Sequence, residues 1–330
     1  MIEVYISKLL MEDSYIYNCL TENNYRIQKY SKKLLLYYRF IRKIIPIFIR
    51  HILQYHYSKK IQYLDNFIDE HLPQHLHKLN PNFLTSKSFY PDDYQSIVLL
   101  THDVEGQKGY NYIPKVIELE EKYQFQSSWN LVANKYHIYP DIIRLIKEKK
   151  NEIGIHGYNH DGLLFSSEKI FTFRAKYINK AIANYEAYGF RAPMLHRDIH
   201  YLQQLDILYD SSFFDYDPFQ PFPGGTGCIY PYKLGKFIEL PITLPQDHTL
   251  FYILNQKNSK IWQAKTKWLI RNKGIINIIT HPDYLLEKDH LKIYDEYLYH
   301  LSTLKNVKIM LPFELAEYWK RTHLSSKNSP

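Results

Sequence analysis

Cysteine is nearly absent. Cys19 and Cys228 are the two in 330 residues, they lie far apart, and they match no metal-binding or redox spacing. That argues against a disulfide scaffold and fits a reducing compartment. Long apolar runs are missing too: no stretch approaches the roughly 18 residues a bilayer-spanning helix needs. The N-terminal "MIEVYISKLLMEDSY" carries acids early and has no long apolar core, unlike a secretory signal. The expectation is a soluble, cytoplasmic protein. Acid itself is missing from one long segment. Between Asn23 and Leu64 there are ten Lys or Arg and no Asp or Glu. The whole chain carries a net charge of +8, so the remainder is close to neutral and the surplus is local. No internal repeat is visible.

What is present suffices for one large α/β domain plus an appendage. An apolar content of 45% fills a core. The 32 tyrosines and 17 phenylalanines exceed packing needs but carry no functional inference. Residues 1–90 read as a helical, basic extension: "LLLYYRFIRKIIPIFIRHILQYHY" has a broad apolar face with bases between, and Pro46 places a kink in it. The Pro-, Asn- and Ser-bearing stretch 80–95 marks a boundary. From Ser96 strands and helices alternate. Strands are expected at 96–102, 127–132, 152–156, 188–192, 207–212, 237–241, 275–280 and 307–311, with helices near 113–124, 140–150, 166–187, 258–272, 286–303 and 312–321. Short continuous apolar strands followed by helices mean a parallel sheet covered on both faces. Seven or eight such units favour a closed barrel spanning 96–322. The tail 323–330 is expected to be disordered.

In such folds the reactive groups stand at the C-terminal ends of the strands. Those points carry a polar set: His102, Asp103 and Glu105 after the first strand; Asn130 at the second; His156 and His160 after the third; Arg191 after the fourth; Asp210 and Ser211 after the fifth; His281 after the seventh. Alone, "HGYNH" in a chain with 16 histidines reads as two exposed loop residues. Either a helical turn or a tight loop at Gly157 brings the two imidazoles to one face. Two imidazoles and one carboxylate with a free position for water make up a catalytic divalent-metal site. Asp103 and Glu105, two apart on an extended strand, face the same side, while Val104 faces away.

"LLTHDVE", "HGYNH", "GFRAP", "YDSS" and "IITHPDY", in this order and spacing, resemble the successive motifs of the polysaccharide deacetylase family (NodB homology, carbohydrate esterase family 4-like). The likeness covers roughly 96–315. The connecting segments "RAPMLHR", "YDSSFFDYDPF" and "ELPITLPQDHTLF" are similar to a branch found with bacterial surface-polysaccharide biosynthesis. The resemblance implies an α/β fold, a distorted (β/α)7-8 barrel, here with an N-terminal helical extension. It implies Asp103 as the general base that activates water, with Glu105, His156 and His160 as metal ligands. The common family form has a second Asp directly after the first acid, where this chain has Val104, so Asp103 as ligand stays open. Arg191 matches the arginine that orients the base, and His281 matches the general acid, with a nearby carboxylate to raise its pKa; Asp215, Asp217 and Asp283 are candidates. Zinc suits one carboxylate and two imidazoles, with iron, cobalt or manganese as alternatives.

Other groups have weaker readings. Asn130, Asp210, Asp247 and His248 are candidate substrate contacts; Asp247 and His248 could equally support His281 or serve only their loop. His196, Arg197 and His200 read as helix-start and surface residues, with Arg197 able to meet an anionic sugar nucleotide or lipid phosphate. His102 reads as structural. The basic segment 26–60 is a solvated helix face packed on the barrel, or a contact with an anionic membrane surface. Nucleic acid is not an expected partner, because no binding module is present. The activity implied is hydrolysis of an N-acyl group, most simply acetyl, from an amino sugar of a glycan or its precursor. The alternatives are another C–N hydrolase (a sugar deformylase, or a ureide or cyclic-amide hydrolase) and a non-catalytic glycan-binding relative.

Overall fold

The computed structural model describes residues 30–70, 89–222 and 225–324. The N-terminal "MIEVYISKLLMEDSY", Cys19, Arg26, Lys29, most of the 80–95 boundary and the tail from 325 lie outside the described residues.

Among the described residues nine strands form one sheet. β1 (Ser96–Val104), β2 (Ser128–Leu131), β3 (Glu152–Ile155), β4 (Gly189–Phe190) and β5 (Tyr209–Asp210) are followed by β6 (Tyr232–Leu234), β7 (Phe237–Glu239), β8 (Ile276–Thr280) and β9 (Val307–Ile309). The order is β6-β7-β5-β4-β3-β2-β1-β8, with β9 also paired to β1. Every pairing is parallel except the β6–β7 hairpin. β1 is buried over all its length, which is why its sequence runs apolar without alternation. It pairs with β2 through 101–104, with β8 through 98–102 and with β9 through 96–98. The sheet curls into a half-barrel, and irregular chain rather than a ladder links β7 to β8. Asn277 donates from its side chain to the Leu240 and Pro241 carbonyls, and its own carbonyl accepts from Thr243 and Leu244.

The covering helices are α1 (32–44), α2 (Ile47–Ser58), α3 (Gln107–Glu121), α4 (Pro140–Glu148), α5 (Glu168–Tyr185), α6 (Lys260–Arg271), α7 (Lys288–Ser302) and α8 (Pro312–Trp319). Eight expected strands and six expected helices of the barrel are present, each within a few residues except for the start of α3. β6 was not expected. Its signal was the two-residue turn at Gly235, where φ is 66°, a conformation glycine adopts without a Cβ penalty and hairpins favour.

The described part of the N-terminal segment is helical only to Ser58. Ser31 caps α1 by accepting from the Leu34 N–H. The helix ends at Ile45 (ψ 116°), and α2 restarts directly after Pro46, the break that proline imposes on its predecessor. Beyond α2 the chain is irregular apart from one turn at Asp65–Phe67, where Phe67 is buried against Tyr63 and Phe219. That burial sets the local backbone in place of a helix.

The two N-terminal helices cross the C-terminal end of the sheet. At one side Tyr30 donates its hydroxyl to the Gly162 carbonyl (2.7 Å), and Tyr38 is buried against the same glycine. A Cβ on Gly162 would lie 2.2 Å from the Tyr38 ring, so that approach requires glycine. At the other side Ser58 donates to the Ile253 carbonyl (3.1 Å), and His51 stacks on Tyr252 at 4.0 Å. The helices therefore form a strap from the loop after β3 to the segment after β7.

Candidate active site and metal centre

Beneath the strap lies a cavity of about 400 Å³ lined by Asp103, Glu105, His156, His160, His248 and His281. Each barrel group reaches it from a strand end. Glu105 follows β1, and its backbone is fixed from outside. Asp283 accepts from the Glu105 and Gly106 N–H groups with one oxygen and from Gly109 with the other. Those are the free donors at the start of α3, where a carboxylate is favoured. Asp283→Ala is expected to lower stability by about 1–2 kcal/mol and to loosen metal binding, read by thermal unfolding and by metal titration. Unchanged values in both would remove this anchor from the account.

One donor atom each from Glu105, His156 and His160 lies within 4.8 Å of the others. The His156 Nδ1–H donates to the Arg191 carbonyl (3.1 Å), which leaves Nε2 as a lone pair facing the cavity, the arrangement that orients a ligating imidazole. That Nε2 is buried without a hydrogen-bond partner. The His160 Nε2 stands 2.9 Å from a Glu105 oxygen, yet off the line of a hydrogen bond and without any other partner. His160 reaches this position with φ at 55°, a conformation uncommon for a residue with a Cβ. Buried nitrogens left unpaired are unfavourable, and together with a carboxylate they fit a small divalent cation.

The charges agree with that reading. Burial lowers His156 to about 4, outweighing the attraction of Asp103, so the ring is neutral at pH 7. Burial works against ionised Glu105, but His160 overcomes it and holds the carboxyl well below its usual range.

Asp103 sits beside this trio. Its Oδ1 accepts from the Asn130 amide at 2.9 Å and lies 3.7 Å from the Arg191 guanidinium. Arg191 is itself buried and donates to Thr101 and Ser211, each at 3.0 Å. Burial opposes the Asp103 charge, yet His156, Arg191 and His281 outweigh it and keep the acid ionised. In the same cavity the His281 Nε2 is 3.5 Å from Glu105, and its Nδ1 meets Asp247 at 2.6 Å. Asp247 also accepts from the His281 backbone N–H. Burial favours neutral His281, but Asp247 and Glu105 prevail and raise its pKa to about 10.

Several expectations need correction. The carboxylate behind His281 is Asp247, in the supporting role offered for it from the sequence, and not Asp215, Asp217 or Asp283. Asp215 is buried against Lys265 (2.7 Å), Asp217 accepts from Phe219 and Gln220, and Asp283 caps α3. Asn130 and Asp210 do not line the cavity. Asn130 holds Asp103, whereas Asp210 is buried on Ser212, its pKa raised to about 6 by desolvation. Asp247 is likewise fully buried, leaving His248 as the residue of that pair that lines the cavity. His196 is not at the surface; it is buried against Tyr30, Tyr38 and Phe222. His102 is structural as expected, bridging Thr280 and Glu120. Residues the sequence reading missed are Tyr284, three positions after His281, and the strap's Arg42, Arg50 and His51.

The curled, mostly parallel sheet gathers two imidazoles, two acids and a carboxylate-backed histidine at its strand ends, the place where α/β barrels carry their reactive groups. Residues 92–206, about a third of the chain, match the family model "Polysaccharide deacetylase". In fold it is similar to a structure assigned as a polysaccharide deacetylase from Mycobacterium smegmatis (18% identity, 73% of this chain and 94% of that one, TM-score 0.59). It is also similar to one from Pseudomonas aeruginosa (13%, 71% and 94%, TM-score 0.58) and to the Puue allantoinase (14%, 71% and 93%, TM-score 0.57). No curated protein matches by sequence.

Proposed function

We propose that the chain is a metal-dependent hydrolase that removes an N-acyl group, acetyl in the first instance, from an amino sugar of a glycan or glycan precursor. The observation that carries this is the convergence of Glu105, His156 and His160 on one point, with an ionised Asp103 and a protonated His281 in the same cavity. Glu105, His156 and His160 would hold the ion, with zinc the choice for that donor set. When bound, a divalent ion supplies Lewis-acid polarisation of the acyl group.

The chain's own groups do the rest. Asp103, steadied by Asn130 and Arg191, accepts a proton from water as its oxygen adds to the acyl carbon. His281 then gives its Nε2 proton to the amine nitrogen as the C–N bond breaks, releasing a carboxylate and a free amine. Asp247 keeps that proton available and holds the ring in place. Base and acid line the same cavity as Glu105, so one can serve addition and the other departure.

The test is acetate release from N-acetylated amino sugars by purified protein, abolished by a chelator and restored by Zn²⁺. Turnover that survives complete metal removal would contradict the proposal. The likeness to the allantoinase fold gives a second reading, hydrolysis of a ureide or cyclic amide by the same groups; ammonia or ring-opened product in place of acetate would favour it. Formate release would identify a deformylase, and binding without turnover a glycan-binding relative.

No helix among the described residues is long and apolar enough to cross a membrane. Contact between the strap, within 26–60, and an anionic membrane is supported by its exposed Phe48, Ile52 and Leu53 interleaved with bases. Co-sedimentation with anionic but not neutral vesicles is the expected result. Absence from both would overturn the contact.

A further inference from the structure

The strap does more than cover the barrel, because it contributes charge to the cavity. Arg42 and Arg50 line the same space as Glu105, His156 and His160. Among the described residues neither guanidinium has a carboxylate within ion-pair distance. The Arg50 Nε is buried with no hydrogen-bond partner, and so is the Gln54 side-chain oxygen one turn further along α2. An amide's oxygen and nitrogen are interchangeable by rotation, so Gln54 can offer a donor at that place. Arg42 lies over the Tyr38 ring at 5.4 Å, which fixes one face of the guanidinium and leaves its N–H edge for a ligand. His51 and His248 beside them add no negative charge. Burial lowers His248 to about 3, and burial likewise lowers His51. The acids that reach this cavity, Asp103 and Glu105, belong to the catalytic end.

Buried donors without acceptors are costly unless a ligand satisfies them. Guanidinium groups lining one cavity suit a planar or tetrahedral oxyanion, and phosphate above all. We infer that Arg42 and Arg50 form a phosphate subsite at the strap end of the cavity, so that the substrate is an amino sugar bearing a phosphate or diphosphate group. This rests on the N-acyl hydrolase reading and narrows its substrate class. The phosphate has two possible sources, a sugar nucleotide or a lipid-linked sugar. Exposed Phe48, Ile52 and Leu53 lie on the same helix as Arg50, so a lipid-linked sugar would rest its chain there.

The experiment uses the Zn²⁺-loaded full chain and four probes: N-acetylglucosamine, its 1-phosphate, UDP-N-acetylglucosamine, and N-acetylglucosaminyl diphosphate on a short polyprenyl chain in detergent. Binding is measured by calorimetry and turnover by release of acetate. The 1-phosphate is expected to bind at least tenfold more tightly than the neutral sugar. In Arg50→Gln that advantage falls on the order of 10- to 100-fold, as loss of a charged hydrogen bond implies, with KM raised more than kcat is lowered. Arg39→Gln, at an exposed position outside the cavity, keeps the wild-type preference and controls for general loss of positive charge. A polyprenyl substrate turned over in preference to the nucleotide assigns the phosphate to a lipid carrier, and the reverse assigns it to a sugar nucleotide. Equal affinity for neutral and phosphorylated sugar, or a preference that survives in Arg50→Gln, overturns the subsite while leaving the hydrolase intact. Phosphate-dependent binding with no acyl release from any probe would instead count against the hydrolase reading.

Discussion

Asp103→Asn is expected to reduce kcat by about 10²- to 10⁴-fold, the range a general base contributes, with bound metal unchanged. Asn keeps the shape of the side chain and can still meet the Asn130 amide, but it cannot take a proton. The three proposed ligands are untouched, so metal content separates the two roles the D-x-E spacing leaves open. Loss of turnover with full metal occupancy identifies the base. Loss of both would make Asp103 a ligand. Activity within tenfold of wild type would remove it from the chemistry.

Asp247→Asn should move a pH profile as well as lower a rate. The wild-type His281 has its pKa raised to about 10, against the effect of burial, because Asp247 and Glu105 favour the imidazolium. An acid acts only while protonated, so activity should hold through neutral pH and fall on the alkaline side as that pKa is passed. With Asn at 247 a major negative partner is gone while burial remains, and burial favours the neutral ring. The alkaline limb of kcat/KM should shift to lower pH by several units, with a loss on the order of 10²- to 10³-fold at pH 8. A uniform loss at every pH, with the limb in place, would mean that Asp247 merely supports the fold.

The strand-end chemistry was legible because it is local. A β1 that runs apolar to Thr101 and then breaks into His102-Asp103-Val104-Glu105 locates its own terminus. "HGYNH", "GFRAP" and "IITHPDY" each follow or close a short apolar run, and so mark further strand ends along the chain. Pairings made by chain path were legible only in part, with Asp247 one of several carboxylates able to back His281. Asp247 meets His281 because irregular chain after β7 folds over β8 through Asn277, and no periodicity encodes that course. Asn130 read as a substrate contact because its position at a strand end is visible, while its bond to Asp103 depends on the β1–β2 register. The basic segment was visible as charge. That it lies over the cavity depends on Tyr38 seating against Gly162, a contact between residues more than a hundred apart.

Everything proposed for this chain depends on Glu105, His156 and His160 sharing one cation. The direct measurement is anomalous scattering from crystals of the purified protein, with data collected on either side of the zinc, iron, cobalt and manganese edges. The expected result is a single strong peak about 2.0–2.2 Å from a Glu105 oxygen and one nitrogen of each histidine, which would also name the ion. A fully loaded preparation with no peak there, or with the peak on other residues, would contradict the metal centre and the hydrolase built upon it.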